Sequence, residues 1–185
     1  MRKTVVLDAC VLYSASLRDF LLHLAQQKLY KPRWSDRIND EWIHNVLKNR
    51  PDLSEHSFHR LRVLMDEAFP NANVKDYDHF MGGLSLPDQG DNHVLAAAIK
   101  AKADFIVTFN IKDFPSKELI THALKSIHPD EFLTSLIKES PVKATQAFLN
   151  QVEHLNNPSI PATKLLDTFR KNNIQNSANL LENLL

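Results

Sequence analysis

Two short apolar segments, far apart in the sequence, constrain the fold of this chain more than any other feature. The first is Thr4–Leu7 and the second is Asp104–Phe109. Runs of this length, rich in β-branched and aromatic residues and closed by polar residues, are typical of strands buried on both faces of a sheet. Between them, apolar residues recur at the three- and four-residue intervals of amphipathic helices. Strands that alternate with helices predict a three-layer α/β/α fold around a central parallel sheet.

Less regular segments complete the predicted sheet domain. We predict a short edge strand at Asn73–Tyr77 and a last short strand at Ser126–His128. The segment Pro32–Ser35 is predicted to break the chain between two helices. A single helix is predicted over Asp88–Lys100, with its acidic residues in the first turn.

No strand pattern remains after Pro129, where the sequence changes character. Four apolar stripes at helical spacing follow, and Pro158 and Pro161 separate the later ones. We therefore predict two parts, an α/β domain over residues 1–128 and a helical C-terminal extension over residues 129–185. Such stripes cannot remain wholly exposed, so the extension should dock on the domain and leave some apolar surface for a partner.

Composition excludes several classes of function. The 22 Lys and Arg residues balance 22 Asp and Glu residues, which argues against binding nucleic acid through bulk charge alone. A single cysteine, Cys10, excludes an intramolecular disulfide framework and a cysteine-rich zinc site. With three glycines and no glycine-rich phosphate loop, ATP or NAD chemistry is not expected. No apolar run suits a membrane span or a signal peptide, so a cytoplasmic protein is expected.

Carboxylates stand where the predicted fold would bring them together. Asp8 ends the first strand and Asp113 follows the second, and the carboxyl ends of parallel strands form the usual ligand edge of an α/β sheet. Glu41 lies in a helix, while Asp88 and Asp91 open the helix before the second strand. Oxygen ligands without thiolates suit Mg²⁺ or Mn²⁺, which points to phosphodiester chemistry.

Each of these acids, taken alone, also has a purely structural explanation. Asp88 with Asp91 is a helix-capping arrangement, and Asp8 is a suitable residue to close a strand. Glu41 could be a solvated helix residue. Their combination favours a shared site.

Within such a site, repulsion between the carboxylates should raise the pKa of at least one of them. The helix dipole should keep Asp91 ionised.

The motifs resemble those of the PIN-domain ribonucleases, most closely the VapC-like toxins of bacterial toxin–antitoxin pairs. The resemblance is carried by Val5–Leu12, by Glu41 in a helix, by Asp88–Ala98 and by Ala103–Phe114. It covers about residues 3–128, and its most specific part is the ordered pair from Asp91 to Asp113.

The resemblance implies a set of site residues. The acids expected to be catalytic and to hold the metal are Asp8, Glu41, Asp91 and Asp113. Thr108 and Asn110 match polar residues that often follow the second strand and are expected to support the site. Two alternatives stay open, because Asp88 could replace Asp91 as the ligand and Asp40 is adjacent to Glu41.

The resemblance also implies a function. It is that of an Mg²⁺- or Mn²⁺-dependent endoribonuclease, the toxin of a toxin–antitoxin pair, with RNA as substrate and a cognate antitoxin as partner. A homodimer is an open alternative for assembly. Alternative functions are a housekeeping PIN nuclease in RNA processing, a non-catalytic PIN-like binding module and, more remotely, a phosphatase or a DNA nuclease.

Some further residues are candidates for substrate contact. Basic residues within Lys28–Arg50 could contact the RNA backbone or form a solvated face. Trp34 and Trp42 could stack on bases, although Trp42 also suits the core. For His93, contact with substrate and a structural place on its helix both stay open.

Overall fold

A four-stranded parallel sheet forms the centre of the molecule. The computed structural model describes residues 2–155 and 159–185. The strand order is β2-β1-β3-β4, so β1 and β3 are the inner strands. The strand bounds are Thr4–Leu7 (β1), Lys31–Arg33 (β2), Phe105–Val107 (β3) and Lys125–Ile127 (β4).

Helices connect these strands and then continue beyond the sheet. Their bounds are Ala9–Leu12 (α1), Ala15–Gln26 (α2), Asp36–Asn49 (α3), Glu55–Ala68 (α4), Asn92–Lys100 (α5), Ser116–Leu119 (α6), Pro129–Glu139 (α7), Pro141–His154 (α8), Ala162–Lys171 (α9) and Gln175–Glu182 (α10). No helix within residues 2–155 and 159–185 is long and apolar enough to cross a membrane.

Both faces of the sheet are covered, as the α/β/α prediction requires. Val5, Val6 and Leu7 follow one another in β1, and all three are fully buried. Successive residues of a strand point to opposite faces, so apolar helices must pack on each side. The predicted α/β fold with C-terminal helices is confirmed.

The predictions around the edge of the sheet are partly wrong. Pro32 does not break the chain but lies within β2, paired in parallel with Val5. Proline lacks a donor and is tolerated here because β2 is an edge strand. The strand predicted at Asn73–Tyr77 is reduced to one parallel bridge between Asn73 and Trp34.

The C-terminal extension docks on α2 through aromatic rings. Phe20 of α2 packs against Phe148 of α8 and Phe169 of α9, with ring centroids 6.1 and 5.3 Å apart. Tyr30, just before β2, meets Phe132 of α7 edge to face. The two parts share one continuous hydrophobic core, so the predicted docking is present.

Within the extension, one buried acid holds two helices together. Asp130, near the start of α7, accepts hydrogen bonds from the backbone N–H groups of Asn176 and Ser177 at 2.9 and 2.8 Å. The amide of Asn176 and the hydroxyl of Ser177 donate to the same carboxylate. Pro161 directly precedes α9, whereas Pro158 lies outside the described residues.

Candidate active site

Asp8 lies at the carboxyl end of an inner strand and is 4% exposed. It caps α1, and its Oδ1 accepts a hydrogen bond from the Ala9 backbone N–H at 2.7 Å. Its Oδ2 accepts from the Thr108 hydroxyl at 2.7 Å and from the Cys10 thiol at 3.1 Å. Burial raises the pKa of Asp8, and these three donors oppose that rise. The carboxylate therefore has a fixed orientation.

Thr108 links the two inner strands at this edge. It is fully buried directly after β3, and its backbone N–H donates to the carbonyl of Ile127 in β4 at 3.1 Å. Its hydroxyl donates to Asp8 and accepts from the Asn110 backbone N–H at 2.9 Å. Asn110 is itself exposed. Thr108 thus joins Asp8 and the backbone of Asn110 in one hydrogen-bond network, and its support of a functional site stays a prediction.

The helix predicted over Asp88–Lys100 is divided into two parts. A 3₁₀ turn over Gln89–Asp91 precedes α5. Asp88 caps the turn, and its carboxylate accepts from the Gly90 N–H at 2.7 Å. Asp91 stands at the start of α5 without a side-chain capping bond. Of the two acids, Asp91 is the one without a local hydrogen-bond partner in the described structure.

Asp91 lies in an environment that opposes its negative charge. Burial, followed by repulsion from Asp8, Asp88, Glu41 and Asp113, raises the pKa of Asp91 to about 7. The expectation that the helix dipole keeps this carboxyl ionised is therefore wrong. The favourable interaction of a carboxylate with a helix N-terminus is small and fades within one turn. The effects of burial and of repulsion by four nearby carboxylates on the pKa of Asp91 are larger. The same repulsion indicates that Asp8, Glu41 and Asp113 each lie near enough to Asp91 to act on its charge.

Glu41 projects from α3 into a cleft that Asp91 also lines. The cleft has a volume of about 520 Å³ and its other lining residues are Arg37, Asp40, His44, Asp88, Gly90 and His93. Oε2 of Glu41 lies 3.4 Å from Nε2 of His93. The neighbouring acid Asp40 is instead paired with Arg62 of α4 at 2.6 Å. Asp40 is thus neutralised by a cation, whereas Glu41 faces Asp91 and His93.

Asp113 ends the 3₁₀ turn Ile111–Asp113 that follows β3, and it is half-buried. Its charge contributes to the raised pKa of Asp91. It does not line the cleft of Glu41. Asp113 therefore borders the acidic region from the side of β3.

The donor set fits a hard divalent cation, although the acids stand farther apart than the ligands of a single ion. Within residues 2–155 and 159–185, no group of three His, Cys, Asp or Glu side chains has the spacing of a metal site. Carboxylates without a cation repel one another, as the raised pKa of Asp91 indicates. Oxygen-rich clusters of this kind suit Mg²⁺ or Mn²⁺.

One tryptophan differs from the sequence predictions, and Cys10 has a contact that they did not include. Trp34 and Trp42 are both fully buried, so stacking of Trp34 on bases is wrong. Trp34 donates to Asp66, and Arg18 stacks on the ring of Trp42 at 4.3 Å. In the sequence, the single cysteine indicates only that disulfide and cysteine-rich zinc sites are excluded. In the structure, the thiol of Cys10 donates a hydrogen bond to Asp8. Cys10 lies two residues after Asp8, in the first turn of α1. This spacing is the signal that could have indicated its contact with Asp8.

Comparisons with known proteins agree with this geometry. The PIN-domain family profile matches residues 4–112, and the profile of the VapC50 C-terminal domain matches residues 129–183. The chain is similar to the "Putative ribonuclease VapC50" of Mycobacterium tuberculosis, with 36% identity over 79 residues. That alignment covers 43% of this chain and 47% of the relative, so the chain spans about half the length of this relative. No solved structure matches the chain significantly. The chain therefore belongs to the PIN-domain family, as a VapC-like member.

Proposed function

We propose that this protein is a metal-dependent endoribonuclease and the toxin of a toxin–antitoxin pair. The observation that supports the proposal is that Asp8, Glu41 and Asp113 all lie near enough to Asp91 to repel its carboxylate. Burial and this repulsion raise the pKa of Asp91, and a cation bound among the acids would relieve the repulsion. The similarity to a mycobacterial protein named as a ribonuclease adds support for ribonuclease activity.

The proposed metal ligands are these four acids, with Asp8 and Asp91 as the principal pair. A bound Mg²⁺ or Mn²⁺ supplies an activated water and neutralises charge on the phosphoryl oxygens. Asp88 is the less suitable alternative to Asp91, because its carboxylate already caps a turn.

The remaining residues of the site orient the acids and receive the substrate. Thr108 and Cys10 hold Oδ2 of Asp8 by hydrogen bonds, and the bond from Ala9 leaves one lone pair on Oδ1 for a ligand. Without a cation, burial and the neighbouring acids raise the pKa of Asp91 to about 7, so its carboxyl takes up a proton more readily than that of a free aspartate. Arg37, exposed at the cleft, is placed to bind a phosphate of the RNA backbone.

An antitoxin is the proposed protein partner, and the cytoplasm is the proposed location. Support comes from the VapC50 C-terminal domain that matches the extension. It also comes from apolar side chains that the core leaves exposed on α8, namely Val142 and Leu149. These residues lie seven positions apart on one face of the helix, which suits an apolar segment of a partner. A homodimer through the same face is the competing outcome.

The test combines cleavage with metal binding. The wild-type chain, Asp8→Asn and the control Glu139→Gln are incubated with single-stranded RNA in Mn²⁺, in Mg²⁺ and in excess chelator. We expect cleavage by the wild type and by Glu139→Gln, with a loss of at least about 1,000-fold in Asp8→Asn, or about 4 kcal/mol in activation free energy. Glu139 is an exposed acid of the extension, so this variant controls for loss of one negative charge.

Three results would separate the proposal from its alternatives. Cleavage that persists in chelator, or in Asp8→Asn, would contradict the metal site. Cleavage without growth arrest on induced expression in bacteria would favour a processing nuclease over a toxin. RNA binding without cleavage in either metal would favour a binding module.

A further inference from the structure

A polar groove runs between α7 and α10 of the extension. Its volume is about 650 Å³, which is larger than the 520 Å³ of the acidic cleft. Its lining contains three asparagines, Asn176, Asn179 and Asn183, together with a single large apolar side chain, that of Leu180. An apolar segment of a protein partner finds little to pack against on such a lining. The groove suits a ligand rich in hydrogen-bond donors and acceptors.

The asparagines of the groove are only partly explained by the fold. Asparagine is a poorer helix former than glutamate, lysine or glutamine, yet three of them share one face at the i, i+3 and i+7 positions. Asn176 has a structural role, because its amide donates to Asp130. Oδ1 of Asn179 accepts from Nε of Arg170 at 3.1 Å, which leaves the two donors of its Nδ2 for a ligand. Asn183 has a φ of −74°, so it is not the left-handed capping residue for which asparagine is favoured.

The groove begins at the carboxyl edge of the sheet, beside the acidic site. His128 directly follows β4 and lines the groove. The preceding residue, Ile127, accepts the backbone N–H of Thr108, whose hydroxyl donates to Asp8. The ring of His128 also packs edge to face on Phe109, with centroids 5.2 Å apart. Neighbouring strands lie about 4.8 Å apart, so the ends of β1 and β4, with β3 between them, are roughly 10 Å apart. A short stretch of single-stranded RNA spans this distance.

The charges of the groove favour contact with bases over contact with many phosphates. Lys138 and Glu131 are both exposed there, and their opposite charges cancel. Amide side chains recognise the hydrogen-bonding edges of unstacked bases, while a single lysine binds a single phosphate. Nδ1 of His128 accepts the backbone N–H of Asp130 at 3.2 Å, so the neutral ring carries its proton on Nε2 as a further donor.

We propose that the groove between α7 and α10 binds the single-stranded RNA next to the cleavage site, with Asn179 and Asn183 on bases and Lys138 on a phosphate. The inference rests on the proposed function, which supplies the RNA and places its cleavage at the acidic site. It assigns part of substrate recognition to the extension. Because these side chains bind RNA away from the reacting phosphate, their loss should raise KM and leave kcat nearly unchanged.

The test uses variants of the full chain, Asn179→Asp and Lys138→Gln. The aspartate keeps the oxygen that accepts from Arg170 and replaces only the amide donors. The matched controls are Asn71→Asp and Lys143→Gln, which change exposed residues outside the groove. The substrates are fluorescent single-stranded RNAs of random sequence, about 16 and about 4 nucleotides long, of which only the longer one reaches both sites. Cleavage in Mn²⁺ gives KM and kcat, anisotropy in chelator gives affinity, and circular dichroism checks the fold.

We expect the KM for the longer RNA to rise at least about fivefold in each groove variant, with kcat within about twofold of the wild type. The affinity measured in chelator should fall by a similar factor. Lys138→Gln should also lower the salt dependence of binding by about one phosphate contact, whereas Asn179→Asp should not. The controls should match the wild type, and the shorter RNA should not distinguish any of the proteins.

Other results would contradict the inference. Groove variants that bind and cleave the longer RNA as their controls do would overturn it and leave the proposed function intact. A fall in kcat with unchanged affinity, or an equal loss for both RNAs, would also overturn it, because the groove would then act on the acidic site or on the fold. If the wild type binds RNA without cleaving it, the proposed function fails and the affinities alone decide the inference. A wild type that neither binds nor cleaves RNA would overturn both. If one groove variant does not fold, the other decides.

Discussion

Asp91 in the sheet domain and Asp130 in the extension are both acids near the start of a helix, yet their surroundings are opposite. Asp130 is saturated by donors from Asn176 and Ser177. Asp91 has no such donor in the described structure and is repelled by four acids, so its pKa rises to about 7. The extension uses a buried acid to join helices, whereas the sheet edge holds an acid that its surroundings disfavour.

The comparison distinguishes residues that stabilise the fold, such as Asp130, from residues of the candidate site, such as Asp91. The extension also contains a cluster of paired charges, in which Arg170 binds both Asp167 and Glu182. A carboxylate cluster without a cation lowers the stability of the fold, and such a cost is expected where function requires it. Removal of one carboxylate should therefore change stability in opposite directions in the two regions.

The largest effect is expected from the buried acid of the extension. Asp130→Ala removes the acceptor of several hydrogen bonds and leaves the N–H groups of Asn176 and Ser177 unsatisfied at the start of α10. We expect the free energy of unfolding to fall by about 2–4 kcal/mol. Urea denaturation followed by circular dichroism measures it. A change below about 1 kcal/mol would mean that water replaces the lost acceptor. Asp130 and Asp91 would then differ little in their effect on the free energy of unfolding.

A gain in stability is expected from Asp91→Asn without metal. The unfolded carboxyl releases its proton near pH 3.9, whereas the folded one holds it to about pH 7. Between these values the folded state binds more protons, so the wild type loses stability as pH rises from about 4 to 7. Because Asp91 is half-exposed, screening limits the effect to about 1–2 kcal/mol. Asp91→Asn should remove this loss.

The measurement compares thermal melting of the two proteins at pH 4 and pH 8 in chelator. The variant should be more stable than the wild type at pH 8, and the two should be similar at pH 4. Saturating Mn²⁺ should then raise the melting temperature of the wild type and leave that of Asp91→Asn nearly unchanged. A variant less stable than the wild type at pH 8 would show that Asp91 contributes to the fold and not only to the site.

The smallest effect, of opposite sign, is expected in the extension. Glu182→Gln removes one carboxylate from Arg170, and Asp167 keeps the guanidinium paired. Pairs at this degree of exposure contribute about 0.2–0.5 kcal/mol, so stability should fall slightly and the difference should shrink in high salt. A stabilising effect that resembles that of Asp91→Asn would remove the distinction between the two regions.

The sequence predicts the framework of the site better than its details. Asp8 and Thr108 follow largely apolar, buried strands, and parallel strands necessarily place their carboxyl ends together. Local signals could not show that Asp88 caps a separate 3₁₀ turn and that Asp91 ends this turn and begins α5. Both acids also suit the start of one helix. Nor could local signals show the tertiary contact between Glu41 and His93, which joins two helices distant in sequence.

The edge strand containing Pro32 illustrates the other limit. A proline next to turn-forming residues predicts a break, and only the position of the strand in the finished sheet makes it acceptable. Register and strand order are properties of the assembled molecule. They are therefore the part of the fold that a local pattern describes least well.

The docking of α8 and α9 on α2 has a consequence for the order of events during synthesis. Phe20 leaves the ribosome early, but the rings of Phe148 and Phe169 that enclose it emerge much later. Until then α2 presents an uncovered aromatic face, and the nascent sheet domain lacks part of its core. Translation of the extension would thus set the moment at which the core of the sheet domain is complete, which is after residue 169 has left the ribosome.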